Sequence, residues 1–223
     1  LEFSLLAAAG ENQWAISDLR VSDHHSLELE GRATVQLLES AELTGIEVSR
    51  LELNFPGAYS RYIEPVLAPW TLNGLQLTGQ VNWSGVWAEG DFQSGDLLIK
   101  DLSVVDIERN RFALTGLDAR MRPGDHGFDS MLAWRGLRVG KINLGPGEAA
   151  LDSEPGAFAI TQPVRLDVLG GSLNLQELNV QLPGAGAGAE GEPDIRLRLD
   201  LENLDMEQVT QALGWPVFSG RIS

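Results

Sequence analysis

Few residues in this chain are equipped for catalysis. Three histidines are present, His24, His25 and His126, and cysteine is absent. Without cysteine there is no thiol nucleophile, no thiolate metal site and no disulfide. Asp23-His24-His25 joins one carboxylate to two imidazoles, ligand types suited to metal-assisted phosphoester hydrolysis. That chemistry needs further Asp and His ligands from other elements of an α/β scaffold, and the triplet reads instead as a loop after Val21. No Gly-x-Ser-x-Gly elbow occurs. Carboxylates are so abundant that no pair singles itself out for glycoside hydrolysis. Gly186-x-Gly188-x-x-Gly191 has dinucleotide-site spacing, but Glu192-Pro193 and a strand pattern follow it. A pyrophosphate needs a helix N-terminus there, so Gly184–Gly191 reads as a flexible hairpin loop. The expectation is a protein without catalytic residues, cofactor or metal.

Tryptophan offers more. The six stand at positions 14, 70, 83, 87, 134 and 215, and Trp83 and Trp87 flank Gly85. A ring-lined turn there could stack on sugars or touch lipid. Because the rings are scattered along the chain, packing in a core and at sheet edges is the favoured reading.

The elements that must carry these residues are strands. One phrase recurs: apolar, any, Asp/Gly/Glu, apolar, any, apolar. It stands at Ile16–Val21, Leu43–Val48, Leu72–Leu77 and Ile99–Val104, starting roughly 27 to 29 residues apart, a spacing typical of repeat architectures. Looser copies follow at Leu114–Leu117, Trp134–Val139 and Leu175–Val180. Apolar residues two apart share a strand face, so the three-residue step inside each phrase requires a bulge, kink or turn. Around these phrases alternation is nearly continuous. Its clearest run is Ile195, Leu197, Leu199 and Leu201, interleaved with Asp194, Arg196, Arg198 and Asp200. That pattern suits an antiparallel sheet with one apolar and one wet face. Turn residues separate the segments at Gly10–Asn12, Gly90-Asp91, Pro123–Asp125 and Gly145–Gly147. The rule predicts on the order of 13 to 16 strands.

Helical signals are confined to two places. Leu204–Leu213 sets Met206, Val209 and Leu213 in one stripe, with Asp205 and Gln208 as a capping box and Gly214 and Pro216 as stops. A second short helix is expected over Tyr59–Ala68, weakened by Pro65. The fold class expected is mainly β: a long, curled or twisted antiparallel sheet forming an open groove, with these one or two short helices.

Charge narrows the partners. Formal net charge is -16. Nucleic acid and anionic headgroups both require a basic surface, so neither is expected. No run approaches the roughly 20 apolar residues of a membrane-spanning helix. The chain opens on Leu1 and stops at Ile222-Ser223 in a strand-like pattern. It is therefore read as one repetitive β-groove segment, residues 1–223, excised from a longer protein.

The stretches Gly95–Val104, Val168–Leu175 and Leu204–Ile222 resemble the AsmA-like superfamily of Gram-negative envelope proteins, above all its YdbH-like branch. There an acidic amphipathic helix leads into a Ser-Gly-x-x-x strand, as Ser219-Gly220-Arg221-Ile222 does here. The resemblance covers the chain from about Gly74 onward. It implies a periplasmic protein tethered to the inner membrane by an N-terminal helix outside this segment. It further implies a β-groove passing phospholipid toward the outer membrane. The ligand would be a phospholipid or other acyl chain, with envelope membranes as further partners. The lining expected is Leu75, Leu77, Val81, Leu97, Ile99, Leu102, Val104, Leu166, Val168, Leu197 and Leu199. Two alternatives stay open at this point: a structural or adhesive β-solenoid, and a carbohydrate-binding β-sandwich.

Overall fold

The computed structural model describes residues 1–37, 41–67, 74–88, 91–124, 127–154, 156–181, 194–217 and 219–222. Alternation becomes strands β1 (Glu2–Ala9), β2 (Gln13–Asp23), β3 (Leu27–Leu37), β4 (Ala41–Phe55), β5 (Leu75–Ala88), β6 (Asp91–Asp106) and β7 (Phe112–Pro123). These continue as β8 (Phe128–Val139), β9 (Ile142–Glu154), β10 (Ala157–Ile160), β11 (Val164–Val168), β12 (Gly171–Gln181) and β13 (Asp194–Glu202). They form one open 13-stranded sheet in which β1 to β10 neighbour one another in chain order. Strand β12 then pairs with β10 and β11 along one edge and with β13 along the other. Most connections are short, which dictates antiparallel pairing, since parallel neighbours need long crossovers; the two longer ones, from β4 to β5 and from β12 to β13, also join antiparallel neighbours. Two short strands, β14 (Leu204–Asp205) and β15 (Arg221–Ile222), pair separately. By contacts the chain divides into two units: Leu1–Asn73 with Leu77–Leu102, and Gly74–Gln76 with Ser103–Ser223.

The recurring phrase is a β-bulge. Between Ile16 and Leu19 the register of β2 against β3 shifts, so Ile16 faces Ala33 and Leu19 faces Gly31. Shifts recur at Leu43–Gly45, Trp134–Leu137 and Leu175–Glu177. In the Ile99 phrase, Asp101 takes φ +48°, and in the Leu114 phrase Gly116 takes φ +61°. Each extra residue absorbs the odd step and returns the following apolar side chain to the original face. A further three-residue step, Val48–Leu51, behaves alike although it lacks the Asp/Gly signature. Leu72 and Asn73 of the third phrase lie outside the described residues.

Gly145-Pro146-Gly147 corrects an expectation. It is no turn but lies inside β9, where the pairing with Leu137 of β8 slips. Gly145 supplies a left-handed φ of +64°, and Gly147 serves close approach, since a Cβ there would run into the Trp134 ring and Leu166. The other expected loop, Gly184–Gly191, lies outside the described residues, as do His126 and Trp70.

Both expected helices form. A five-residue π-helix, Tyr59–Ile63, runs into a single α-turn, α1 (Glu64–Leu67). Ala58 and Tyr59 are its buried contacts. Helix α2 (Met206–Leu213) is capped by the Asp205 carboxylate, which accepts from the Glu207 N–H, and closed by left-handed Gly214. Its packing differs from the expected stripe. Met206 and Val209 are half-buried, but Leu213 is 50 % exposed and Thr210 is the fully buried residue. Threonine is tolerated there because its hydroxyl donates back to the carbonyls of Met206 and Glu207. No described helix is long and apolar enough to cross a membrane.

Candidate functional site

The register of β1 to β5 lines up apolar side chains in rows running across the strands. One row is Ala7, Ile16, Ala33, Ile46 and Trp87. The next is Leu5, Leu19, Gly31, Val48 and Gly85, and the third Phe3, Val21, Leu29, Leu51 and Trp83. Directly opposed residues share a face, so all three rows line one side of the sheet. Of these residues only Val48 and Gly85 are buried; Phe3, Leu5 and Ala7 at the edge are exposed and the rest are half-exposed. The face is thus neither sealed like a core nor bare. An open depression of about 320 Å³ nearby is lined from both parities, by Arg32, Thr34, Glu47 and Val86 as well as by Ile16, Ala33, Ile46 and Trp87, so it is not a feature of the apolar face alone.

Trp83 and Trp87 stand on this face, one on each side of Gly85, in the middle of β5. The segment that could have formed a ring-lined turn is therefore a strand. The opposite face is charged. Arg50 reaches Glu28 at 2.9 Å and Glu52 at 2.8 Å, and Arg32 pairs with Glu47. The Arg50 hydrogen bond holds the Glu52 carboxyl below its ordinary range. Without Arg50, Glu28 and Glu52 would oppose each other as like charges on β3 and β4.

In the second unit the register aligns a similar face. Leu132 opposes Ala149, Ser130 opposes Leu151, and Phe158 opposes Val180, which opposes Ile195. Leu166 faces Leu173, which faces Leu201. Here the centre is covered: Leu117, Val164, Leu166, Val168 and Val180 are each at most 8 % exposed. Within this apolar surface the Ser130 hydroxyl and the Trp134 indole N–H are buried without a hydrogen-bond partner. At the β13 edge cover runs out, with Ile195, Leu197, Leu199 and Leu201 between 42 % and 58 % exposed.

The expected lining residues sort accordingly. Leu77 and Val81 share the apolar parity of β5 with Trp83 and Trp87, and Leu97, Ile99 and Leu102 on β6 are half-buried in the same unit. Leu75, at the start of β5, and Val104, at the end of β6, are half-buried residues of the second unit. Leu166 and Val168 are floor residues with little access, whereas Leu197 and Leu199 are open.

Sequence reasoning missed a polar cluster at one end of the first unit. Asp23 closes β2 and is buried. Its carboxylate accepts from the Arg61 guanidinium and, at 2.6 Å, from the Tyr62 hydroxyl. The Arg61 and Tyr62 hydrogen bonds hold the Asp23 carboxyl down at about 2. His24 and His25, with φ of +29° and +68°, turn the chain toward β3. Asp23 is therefore a tether for the helical segment, and no described group of three or more His, Asp or Glu is placed to hold a metal. The segment is 38 residues away in sequence, so no local motif announces the contact.

A pH dependence follows. The folded carboxyl titrates at about 2 against an ordinary 3.8. The tether is fully present above the ordinary value and is lost as pH falls through the folded one. Asp23→Asn is expected to melt below the parent at neutral pH. The gap should narrow between about pH 4 and pH 2. Paired thermal melts across that range test this, and a gap constant down to pH 2 would contradict it.

Comparison with protein-family models, with curated proteins and with solved structures finds no match for this chain.

Proposed function

We propose that this chain is a non-enzymatic, lipid-sheltering segment whose apolar sheet face holds acyl chains away from water. One observation carries the reading: consecutive rows of apolar side chains cross β1 to β5 on one face and stay half-exposed. A soluble sheet with nothing to shelter gains by covering such a face. Five strands at about 4.8 Å spacing give a path of roughly 19 Å, longer than the roughly 15 Å hydrocarbon depth of one bilayer leaflet. Each methylene kept from water is worth about 0.8 kcal/mol, so even a partly covered chain is held firmly. The charged opposite face keeps the sheet soluble.

The resemblance to AsmA-like envelope proteins supports the same reading and gives it a location. The segment would sit in a periplasm, as part of a path for phospholipid between inner and outer membranes. The antiparallel, neighbour-to-neighbour pairing favours this over a β-solenoid, whose coils stack in parallel.

Photo-crosslinkers test it. Placed at Leu77, Ile99 or Leu197, they are expected to capture phospholipid in cells. Placed at Arg196 or Arg198, on the charged face of β13, they are not. Equal capture on both faces, or none on either with the protein folded, would reject the conduit.

A further inference from the structure

Strand β13 is an edge. It pairs with β12 on one side, and no described strand pairs with the other. All nine of its residues are exposed, and its apolar face is the most open in the second unit. Helix α2 does not bury it, since every residue of β13 stays exposed, and Gln208, Gln211 and Ala212 lie instead beside Lys141, Asn143 and Leu169. An exposed edge of this length is a template for another strand, and proteins usually blunt it with scattered charge. Here the charges are ordered: Asp194, Arg196, Arg198, Asp200 and Glu202 share one face, in the sequence minus, plus, plus, minus, minus.

We infer that β13 is a self-complementary docking edge, which pairs antiparallel with β13 of a second copy of this chain, Leu199 opposite Leu199. That register sets Arg198 against Asp200 and Arg196 against Glu202, each twice by symmetry. Leu197 meets Leu201 on the apolar face. No like charges oppose each other. The neighbouring registers are worse. Leu197 on Leu197 sets Arg196 against Arg198 and Asp194 against Asp200. Leu201 on Leu201 sets Asp200 against Glu202. Arg198 on Arg198 opposes two guanidiniums directly and Asp194 to Glu202. Cross-strand pairs of opposite charge stabilise and like pairs destabilise, so the charge pattern selects one register. Inside the protomer the two acids are without a cationic partner on β12, Asp200 opposing Asn174 and Glu202 opposing Ser172, whereas Arg198 opposes Glu177 and Arg196 pairs with Asp194 at 3.4 Å. An isologous twofold contact is also the commonest route to a closed dimer. The pairing stands independently of lipid binding.

The absence of cysteine makes the test clean. Directly opposed residues in an antiparallel pair have Cα atoms about 4.5 to 5.5 Å apart, within disulfide range. Leu199→Cys is expected to form a covalent dimer under mild oxidation, at least about tenfold faster than Leu197→Cys or a Phe3→Cys control on β1, at the far end of the strand order. Mixing Leu197→Cys with Leu201→Cys should link the two. In analytical ultracentrifugation, Arg198→Asp is expected to weaken the dimer at least about tenfold, and Arg198→Asp with Asp200→Arg to restore it. Circular dichroism checks that each variant keeps its sheet. Any of three results overturns the proposal: a parent chain monomeric up to about 100 µM, self-linking of Leu197→Cys as fast as Leu199→Cys, or a dimer indifferent to Arg198→Asp.

Discussion

Leu166→Asp is expected to unfold the second unit, and Leu197→Asp to leave it folded, although both residues lie on the same apolar face. Leu166 is 8 % exposed, and one of its methyls stands close enough over Gly147 to bar a Cβ there, beside the Trp134 ring. A carboxylate in that place loses the leucine packing and finds neither water nor a cation. Large-to-small loss costs about 2 to 5 kcal/mol and an unpaired buried charge about 3 to 5 more, together comparable to the roughly 5 to 15 kcal/mol that keeps an ordinary domain folded. Leu197 is 57 % exposed, so its carboxylate stays hydrated and the change is expected within about 0.5 kcal/mol. Urea unfolding followed by tryptophan fluorescence reads both. The functional effects should run the other way. Leu197→Asp, folded, should lose phospholipid crosslinking at neighbouring positions, since it places a charge on the open part of the path. Equal destabilisation by both variants would show a sealed core up to the sheet edge and would remove the groove.

That contrast marks where sequence information stops. Alternation identified the strands and their apolar side, because side-chain period in a strand is fixed at two. The three-residue steps at Ile16, Leu43, Trp134 and Leu175 located bulges, because an odd step must be absorbed to keep a face buried. Parity alone could not separate Leu166 from Leu197. Cover depends on what leans over a side chain: β11 and β13 each pair with β12 alone, yet Leu166 packs over Gly147 beside the Trp134 ring while β13 stays exposed. The Gly145–Gly147 turn failed for a related reason. Glycine and proline punctuate chains, but glycine also lets two backbones or a large ring come close, and Trp134 needed that space. The Asp23 tether was hidden because its partners, Arg61 and Tyr62, belong to a helical segment whose docking no local signal describes. In α2 the helical spacing was right and the face nearly so. Thr210 rather than Leu213 is buried, because a threonine hydroxyl that bonds back along its own helix no longer resists burial.

Gly79→Ala is expected to be among the most damaging small substitutions in the first unit. Gly79 sits in the middle of β5 with φ +112°, and a Cβ there would stand 2.5 Å from the Asp101 carbonyl oxygen and 2.6 Å from the Leu102 Cα. Both obstacles are backbone and belong to the bulge that absorbs the step from Ile99 to Leu102. Relief would require moving the β6 chain away from β5. Gly140 separates the two costs. Its φ is +58°, yet nothing lies within 4 Å of a Cβ built there. Gly140→Ala should therefore lose only the left-handed penalty, about 1 to 2 kcal/mol. Gly79→Ala adds the clash with fixed backbone and should lose about 3 kcal/mol or more. The chemical midpoints of the two variants measure the difference. If Gly79→Ala is tolerated at the Gly140→Ala level, the Asp101 bulge is free to shift and does not pin β6. If it is not tolerated, the bulge holds Leu102 in place beside β5. A fluorescent fatty acid that binds the parent chain should then bind the Gly79→Ala variant more weakly, even where enough folded protein remains to be measured.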